Sequence, residues 1–204
     1  MSTIRPVILT VEDDPGLRAM LVMMLELHGY AAVEADCREA ALARLDDTPQ
    51  IRVVLLDLGL PPLPNETSEG IATLCAIQHA SLPVKVIVLT GQDQDAAALA
   101  AVREGAFDFL PKPVAAPAIL MAVQRALLFV QKEGELSQQG VTRIALTAQV
   151  GDGLKAVRTD AEEKLVRQVL KDTGFNVYQS AKRLGVRREN IYYFMKKFGI
   201  TRDD

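Results

Sequence analysis

The sequence predicts an α/β protein: a doubly wound parallel sheet of five βα units, followed by a small all-α domain. Three observations point there. First, Val53-Val54-Leu55-Leu56-Asp57 is an apolar run that ends in one carboxylate. Such a run suits a strand covered on both faces, as in parallel sheets. Second, strand-like and helix-like segments alternate five times before about residue 132, the signature of right-handed βαβ units. Third, charge divides the chain: residues 1–130 hold 9 Lys/Arg against 16 Asp/Glu, whereas residues 131–204 hold 14 against 10. An acidic front joined to a basic tail suggests two modules with different partners.

The elements follow in order. Pro6 to Val11 is an apolar, β-branched strand that runs into Glu12-Asp13-Asp14. Asp14-Pro15 starts a helix, Asp at the N-cap and Pro in the first turn, and Gly29 closes it after Leu27. Ala31–Glu34 is a short strand and Arg38–Leu45 a helix. Pro49 precedes the strand that ends at Asp57. Pro61, Pro62 and Pro64 make the next stretch a loop, because proline lacks an amide donor. Gly70–Ala80 is a helix, Val84–Leu89 a strand ending in Thr90-Gly91, and Asp95–Glu104 a helix capped by Gly105. Phe107–Leu110 is a strand, and Ala116 to about Lys132 a helix.

The bulk composition bounds the function class. At 49% hydrophobic and 24% charged, the 204 residues can build a sizeable core. No apolar run approaches the ~18 residues that a membrane span needs. The start, Met1 to Arg5, leads directly into a strand without a signal-peptide pattern. Cys37 and Cys75 lack CxxC spacing and read as reduced thiols. A cytoplasmic protein with no membrane partner is expected.

In a doubly wound sheet the strand ends converge on one crevice. Here they bring Glu12 and Asp13, Asp57, Thr90 and Lys112. Grouped carboxylates repel unless a cation sits among them, and an oxygen donor set suits Mg²⁺. Asp57 can then act as a nucleophile toward phosphorus, with a Lys and a Thr hydroxyl steadying the phosphoryl oxygens.

Val-Glu-Asp-Asp-Pro at 11–15, Leu-Leu-Asp-Leu-Gly-Leu-Pro at 55–61, Leu-Thr-Gly at 89–91 and Phe-Leu-Pro-Lys-Pro at 109–113 resemble the receiver domain of two-component response regulators. The resemblance implies a flavodoxin/CheY-like fold, with Asp57 as phosphoacceptor and a sensor histidine kinase as partner. It implies Mg²⁺ held by Glu12, Asp13, Asp57 and the Gly59 backbone carbonyl, with Asp13 as the direct ligand of the acidic pair. Thr90 and Phe109 would be the switch residues and Lys112 the phosphate contact. The Lys112-Pro113 bond matches a position that is cis in the family. The loop 60–69 looks a few residues longer than the family's usual one.

The tail carries a second pattern. Gln131–Gly140 is polar, with Gly134 and Gly140, and reads as linker; Val141–Gly153, with Ile144, Leu146 and Val150, fits strand or helix. Thr159-Asp160-Ala161-Glu162 fits a capping box that opens a helix. Val177–Leu184, Gly185 and Arg188–Phe198 then give a helix, a turn and a helix. Domains are therefore expected at 1–132 and 156–204, with a linker over 133–155 that is partly open to helix. Lys182, Arg183, Arg187, Arg188, Lys196 and Lys197 stand against Glu189 within 16 residues, a basic surface suited to DNA phosphates.

Residues 176–186 and 191–200 resemble the Fis-type helix-turn-helix that ends NtrC-like regulators. By that resemblance Arg188, Glu189, Asn190 and Tyr193 would enter the major groove of double-stranded DNA. Arg187 stands where the family often has a Ser cap. The helix over 159–172 would form a homodimer. NtrC-like proteins carry a central ATPase, but this sequence has no Gly-x-x-x-x-Gly-Lys-Ser/Thr loop. A receiver joined directly to a Fis-type module resembles the RegA/PrrA-type regulators, without their Pro-rich hinge. The implied function is a phosphorylation-dependent transcriptional regulator with no turnover activity in the usual sense. Two rivals stand beside it. One is an interaction or phosphorelay regulator whose tail only dimerises. The other is an α/β phosphatase, which would need an Asp where Gly59 stands.

Overall fold

A computed structural model describes residues 5–80, 82–91, 94–141, 144, 146, 151 and 153–202, without the side chains of 94 and 95. The chain divides into two units, Met1–Gln139 and Gly140–Asp204.

Unit one is the expected five-stranded parallel sheet in the order β2-β1-β3-β4-β5. Its strands are β1 Val7–Val11, β2 Ala31–Ala35, β3 Ile51–Asp57, β4 Lys85–Thr90 and β5 Asp108–Pro111. The helices are α1 Pro15–Leu27, α2 Arg38–Asp47, α3 Ser68–His79, α4 Gln94–Arg103 and α5 Ala116–Gln138. Side chains alternate along the buried strands. Val54 and Leu56 of β3 join Val86 and Val88 of β4 in the core covered by α2, α3 and α4. Val53, Leu55, Ile87 and Leu89 enter the opposite core, under α1 and α5. Both faces are covered, so β3 and β4 are apolar over 53–56 and 86–89 and end in Asp57 and Thr90.

The loop expected around Pro61-Pro62 leaves β3 and returns at α3. Leu60 anchors it in the core, while residues 61–68 are exposed. Gly70 explains the tight return: a Cβ there would lie 2.2 Å from Leu58 Cα. Without a side chain, its amide reaches the Leu58 carbonyl at 3.2 Å. The Pro61-Pro62 and Lys112-Pro113 bonds are both cis.

The structure corrects the reading of 131–140 as linker, and with it the linker's start at 133. α5 runs on to Gln138. Lys132 and Gln131 bond Glu135 along the helix, and Lys85 of β4 pairs with Glu133 at 2.6 Å. These contacts and good helix formers outweigh Gly134, which costs about 1 kcal/mol in a helix interior. Of the ambiguous stretch 141–153, Ile144 and Leu146 are described and lie outside helix and strand, while Val150 lies outside the described residues.

Unit two holds α6 Gly153–Asp172, α7 Val177–Leu184 and α8 Arg188–Lys197. The capping box expected at Thr159 does not form. Thr159 lies inside α6, and its hydroxyl donates to the Lys155 carbonyl one turn back at 2.9 Å. Asn176 caps α7, accepting from the Gln179 amide at 3.1 Å. Gly185 ends α7 with φ 66°, and the Val186 amide returns to the Ala181 carbonyl. Phe175 also has a positive φ, 58°, which packing of its ring against the Val166, Leu170, Ala181, Ile191 and Ile200 core over-determines. The hydroxyls of Thr173 and Ser180 lie 2.6 Å apart and tie the end of α6 to α7.

Candidate functional site

At the carboxyl edge of the sheet, β1 delivers Glu12 and Asp13 and β3 delivers Asp57. Ligand oxygens of all three lie within 4.8 Å of one another. Glu12 is 1% exposed and Asp57 7%. Lys112, just past β5, reaches Glu12 Oε2 at 2.8 Å and Asp57 Oδ2 at 2.9 Å. Its amide donates to the Thr90 carbonyl at 2.6 Å, which fixes where the chain leaves β5.

The electrostatics follow from this crowding. Burial pushes the Glu12 carboxyl up; the Lys112 bond opposes the rise and the neighbouring Asp57 charge adds to it. Burial works against the Lys112 ammonium, yet hydrogen bonds to Glu12 and Asp57 outweigh it and raise its pKa. Three carboxylates and one ammonium leave the pocket about two charges short of neutrality. The donor set is all oxygen and its deficit matches a dication, so these residues fit Mg²⁺. Gly59 borders the pocket: a Cβ there would come 2.5 Å from the Pro64 carbonyl and 3.6 Å from Asp57 Oδ2.

Thr90 is buried, and among the described residues its Oγ1 and that of Thr10 have no hydrogen-bond partner. An unmet buried hydroxyl costs about 1–3 kcal/mol, and Thr90 carries it at a strand end beside the acidic pocket. Phe109 is exposed on β5. Asp14 stands apart from the pair, as its sequence position suggested, and caps α1 by accepting from the Leu17 amide at 2.7 Å.

In unit two Lys182, Arg183, Arg187, Arg188, Glu189, Asn190, Tyr193 and Lys196 are exposed. Arg187 is the N-cap of α8 and makes no side-chain cap bond. Lys197 is exposed as well, and it has partners inside the unit. Its ammonium pairs with Glu162 of α6 at 3.1 Å and lies 4.6 Å from the centre of the Phe198 ring. Both contacts lie within this unit and leave the side chain 31% exposed.

The family model of the response regulator receiver domain matches residues 8–124. The chain belongs to that family. A second model, bacterial regulatory protein of the Fis family, matches residues 157–198. Among curated relatives, the C4-dicarboxylate transport transcriptional regulatory protein DctD of Pseudomonas aeruginosa is 35% identical over 121 residues, 59% of this chain and 25% of that protein. The transcriptional regulatory protein CpxR of Escherichia coli is 36% identical over 106 residues, 52% of this chain and 42% of that protein. The chain thus spans a quarter to two-fifths of these relatives. Among solved structures, NtrX of Brucella abortus superposes with a TM-score of 0.60 at 25% identity, over 81% of this chain and 34% of that one. The signal receiver domain of a LuxO repressor protein from Vibrio parahaemolyticus gives 0.58 at 25%, over 65% and 98%. This is a receiver domain with a Fis-family helix-turn-helix, and its homologues are transcriptional regulatory response regulators.

Sequence reasoning missed two residues of this receiver and its tail. Arg18 of α1 donates from Nη1 to the Glu12 carbonyl at 2.6 Å and the Asp13 carbonyl at 3.3 Å, and from Nε to Glu34 at 3.3 Å. It clamps the backbone that presents the acidic pair. Its only trace in the sequence is a lone Arg on the second turn of α1. The other is Tyr178 of α7, which is exposed and whose ring centre lies 5.6 Å from the Arg188 Cζ.

Proposed function

We propose that the protein is a phosphorylation-dependent, DNA-binding response regulator of a two-component system, phosphorylated on Asp57 by a partner histidine kinase. The observation that carries this reading is the pocket in which Lys112 bridges Glu12 and Asp57 beside the unpaired Thr90 hydroxyl. An Asp57 oxygen attacks phosphorus of a phosphohistidine. The P–N bond breaks, its electron pair goes to the imidazole, and the imidazole takes up a proton. Lys112 already bonds Asp57, so it meets the oxygens of the arriving group, and Thr90 has a free hydroxyl for another. Glu12, Asp13, Asp57 and the Gly59 carbonyl would hold Mg²⁺, whose charge would neutralise the phosphoryl oxygens. Thr90 and Phe109 are the switch pair: engagement of Thr90 draws Phe109 from its exposed position and changes the surface around β5.

The output is DNA binding in the cytoplasm. Lys182, Arg183, Arg187, Lys196 and the start of α8, with Arg188, Glu189, Asn190 and Tyr193, form the contact surface. α6 leaves Leu154 91% exposed and Leu165 also exposed, an apolar face that supports a homodimer through this helix. Residues 125–156 alone separate the two matched segments, which supports a receiver joined to its tail without an ATPase between them.

With Mg²⁺ and a small acyl phosphate, the full chain should gain one phosphoryl group that Asp57→Ala cannot gain. Selection of bound DNA from a random pool, with and without that donor, should yield an enriched sequence whose affinity changes on phosphorylation. Labelling at another residue sinks the phosphoacceptor assignment. Labelling at Asp57 without salt-sensitive DNA affinity leaves the interaction regulator, whose tail only dimerises.

A further inference from the structure

Arg188 opens α8, the helix that the proposed function places in the major groove. Among the described residues its guanidinium has no carboxylate partner, and it lies over an aromatic face. The Arg188 Cζ lies 5.6 Å from the centre of the Tyr178 ring on α7. Tyr178 is 63% exposed, so its ring is not held as core. The two side chains border one shallow hollow with Val177, Glu189 and Tyr192. At this distance the contact is a cation–π one, which leaves guanidinium N–H groups available, and those are what pair in two-pronged fashion with O6 and N7 of guanine. An unsupported Arg must give up most of its rotamer freedom to make that pair, whereas one held against a ring has already lost part of it.

We propose that Tyr178 is a positioning residue for base recognition: its ring restrains the Arg188 guanidinium for pairing with a guanine edge. The inference rests on the DNA-binding reading and adds a residue from the first helix of the turn to its specificity. The phenol oxygen has no part in it.

The experiment uses the full-length protein and its selected DNA, with a set of single-base variants of that DNA. Arg188→Ala identifies the base pair that Arg188 reads, as the position where preference flattens. Tyr178→Ala should flatten the same position and weaken binding to the selected DNA about fivefold. Tyr178→Phe should keep both. In the Arg188→Ala background, Tyr178→Ala should add nothing, because the two residues act through one contact. Thermal unfolding of each variant checks that the unit is intact, and an exposed Tyr178 should leave it unchanged. If Tyr178→Phe loses as much as Tyr178→Ala and the salt dependence drops by about one phosphate contact, the hydroxyl binds backbone and the proposal is overturned. If Tyr178→Ala changes neither affinity nor preference while wild-type protein binds selectively, the proposal falls and the DNA-binding reading stands. If wild-type protein shows no selectivity, both fall.

Discussion

At the scale of single residues, two adjacent lysines separate surface charge from structural charge. Both are exposed, but Lys197 has the Glu162 carboxylate and the Phe198 ring as neighbours, whereas Lys196 has no ion-pair partner among the described residues. A cation that neutralises a phosphate releases a counterion and steepens the fall of affinity with salt. Lys196→Ala should therefore lower the slope of log affinity against log salt by about one per site bound. Lys197→Ala should leave the slope unchanged and lower the melting temperature slightly; a salt titration of DNA binding for both variants decides it. Gly70 makes a comparable case for packing. Any side chain there meets Leu58 Cα at 2.2 Å and Leu58 O at 2.7 Å, main-chain atoms with no rotamer to change. Gly70→Ala should cost about 3 kcal/mol, the upper end for overpacking. It should also weaken labelling at Asp57, since Leu58 is the neighbour of that residue. Urea unfolding and phosphodonor labelling measure the two effects.

At the scale of elements, α6 shows how a helix outgrows its local signals. The Thr159-to-Glu162 pattern is a fair start signal, but α6 begins at Gly153, and Glu162 spends its carboxylate on Lys197 and Arg158 instead of a cap. Those bonds, Lys197 first, hold Glu162 below the usual glutamate range. A depressed folded-state pKa gives stability that is present above the unfolded value and lost as pH falls through the folded one. Glu162→Gln should then lower the melting temperature of the tail at neutral pH. The gap should close as pH drops below the ordinary 4.5; melting curves at a series of pH values test it. The same logic explains what the sequence made legible. The strands and α1 to α4 were readable because buried apolar runs, Asp14-Pro15 and Gly29 are strong local signals. The strand-end residues were readable because sheet topology brings them together whatever the loops do. The extension of α5 was not, because Gly134 masks the local helix formers and one of its supports is Lys85, which reaches Glu133 from a strand 48 positions earlier in the chain. The roles of Arg18, Tyr178 and Lys197 were hidden for the same reason: each is set by a partner on another element.

At the scale of the whole molecule, Met1–Gln139 holds 10 Lys/Arg against 18 Asp/Glu, and Gly140–Asp204 holds 13 against 8. In the proposed function an acidic module controls a basic one, and control means a coupling free energy between two sites. Such coupling is reciprocal. If an occupied Asp57 pocket raises affinity for the selected DNA by some factor, that DNA must raise affinity for the pocket's ligand by the same factor. A stable phosphoryl mimic, beryllium fluoride with Mg²⁺, makes this measurable at equilibrium. Its affinity for the full chain should rise in the presence of the selected DNA, by about 5- to 150-fold if the coupling lies in the usual 1–3 kcal/mol range. DNA of scrambled sequence at the same concentration should have a smaller effect. Asp57→Asn should abolish mimic binding while retaining basal DNA affinity, which localises the effect to the pocket. Titration calorimetry of the mimic with and without DNA reads the factor directly. A factor of one would mean that the receiver and the helix-turn-helix are merely tethered, and that phosphorylation acts through some other contact of the receiver surface.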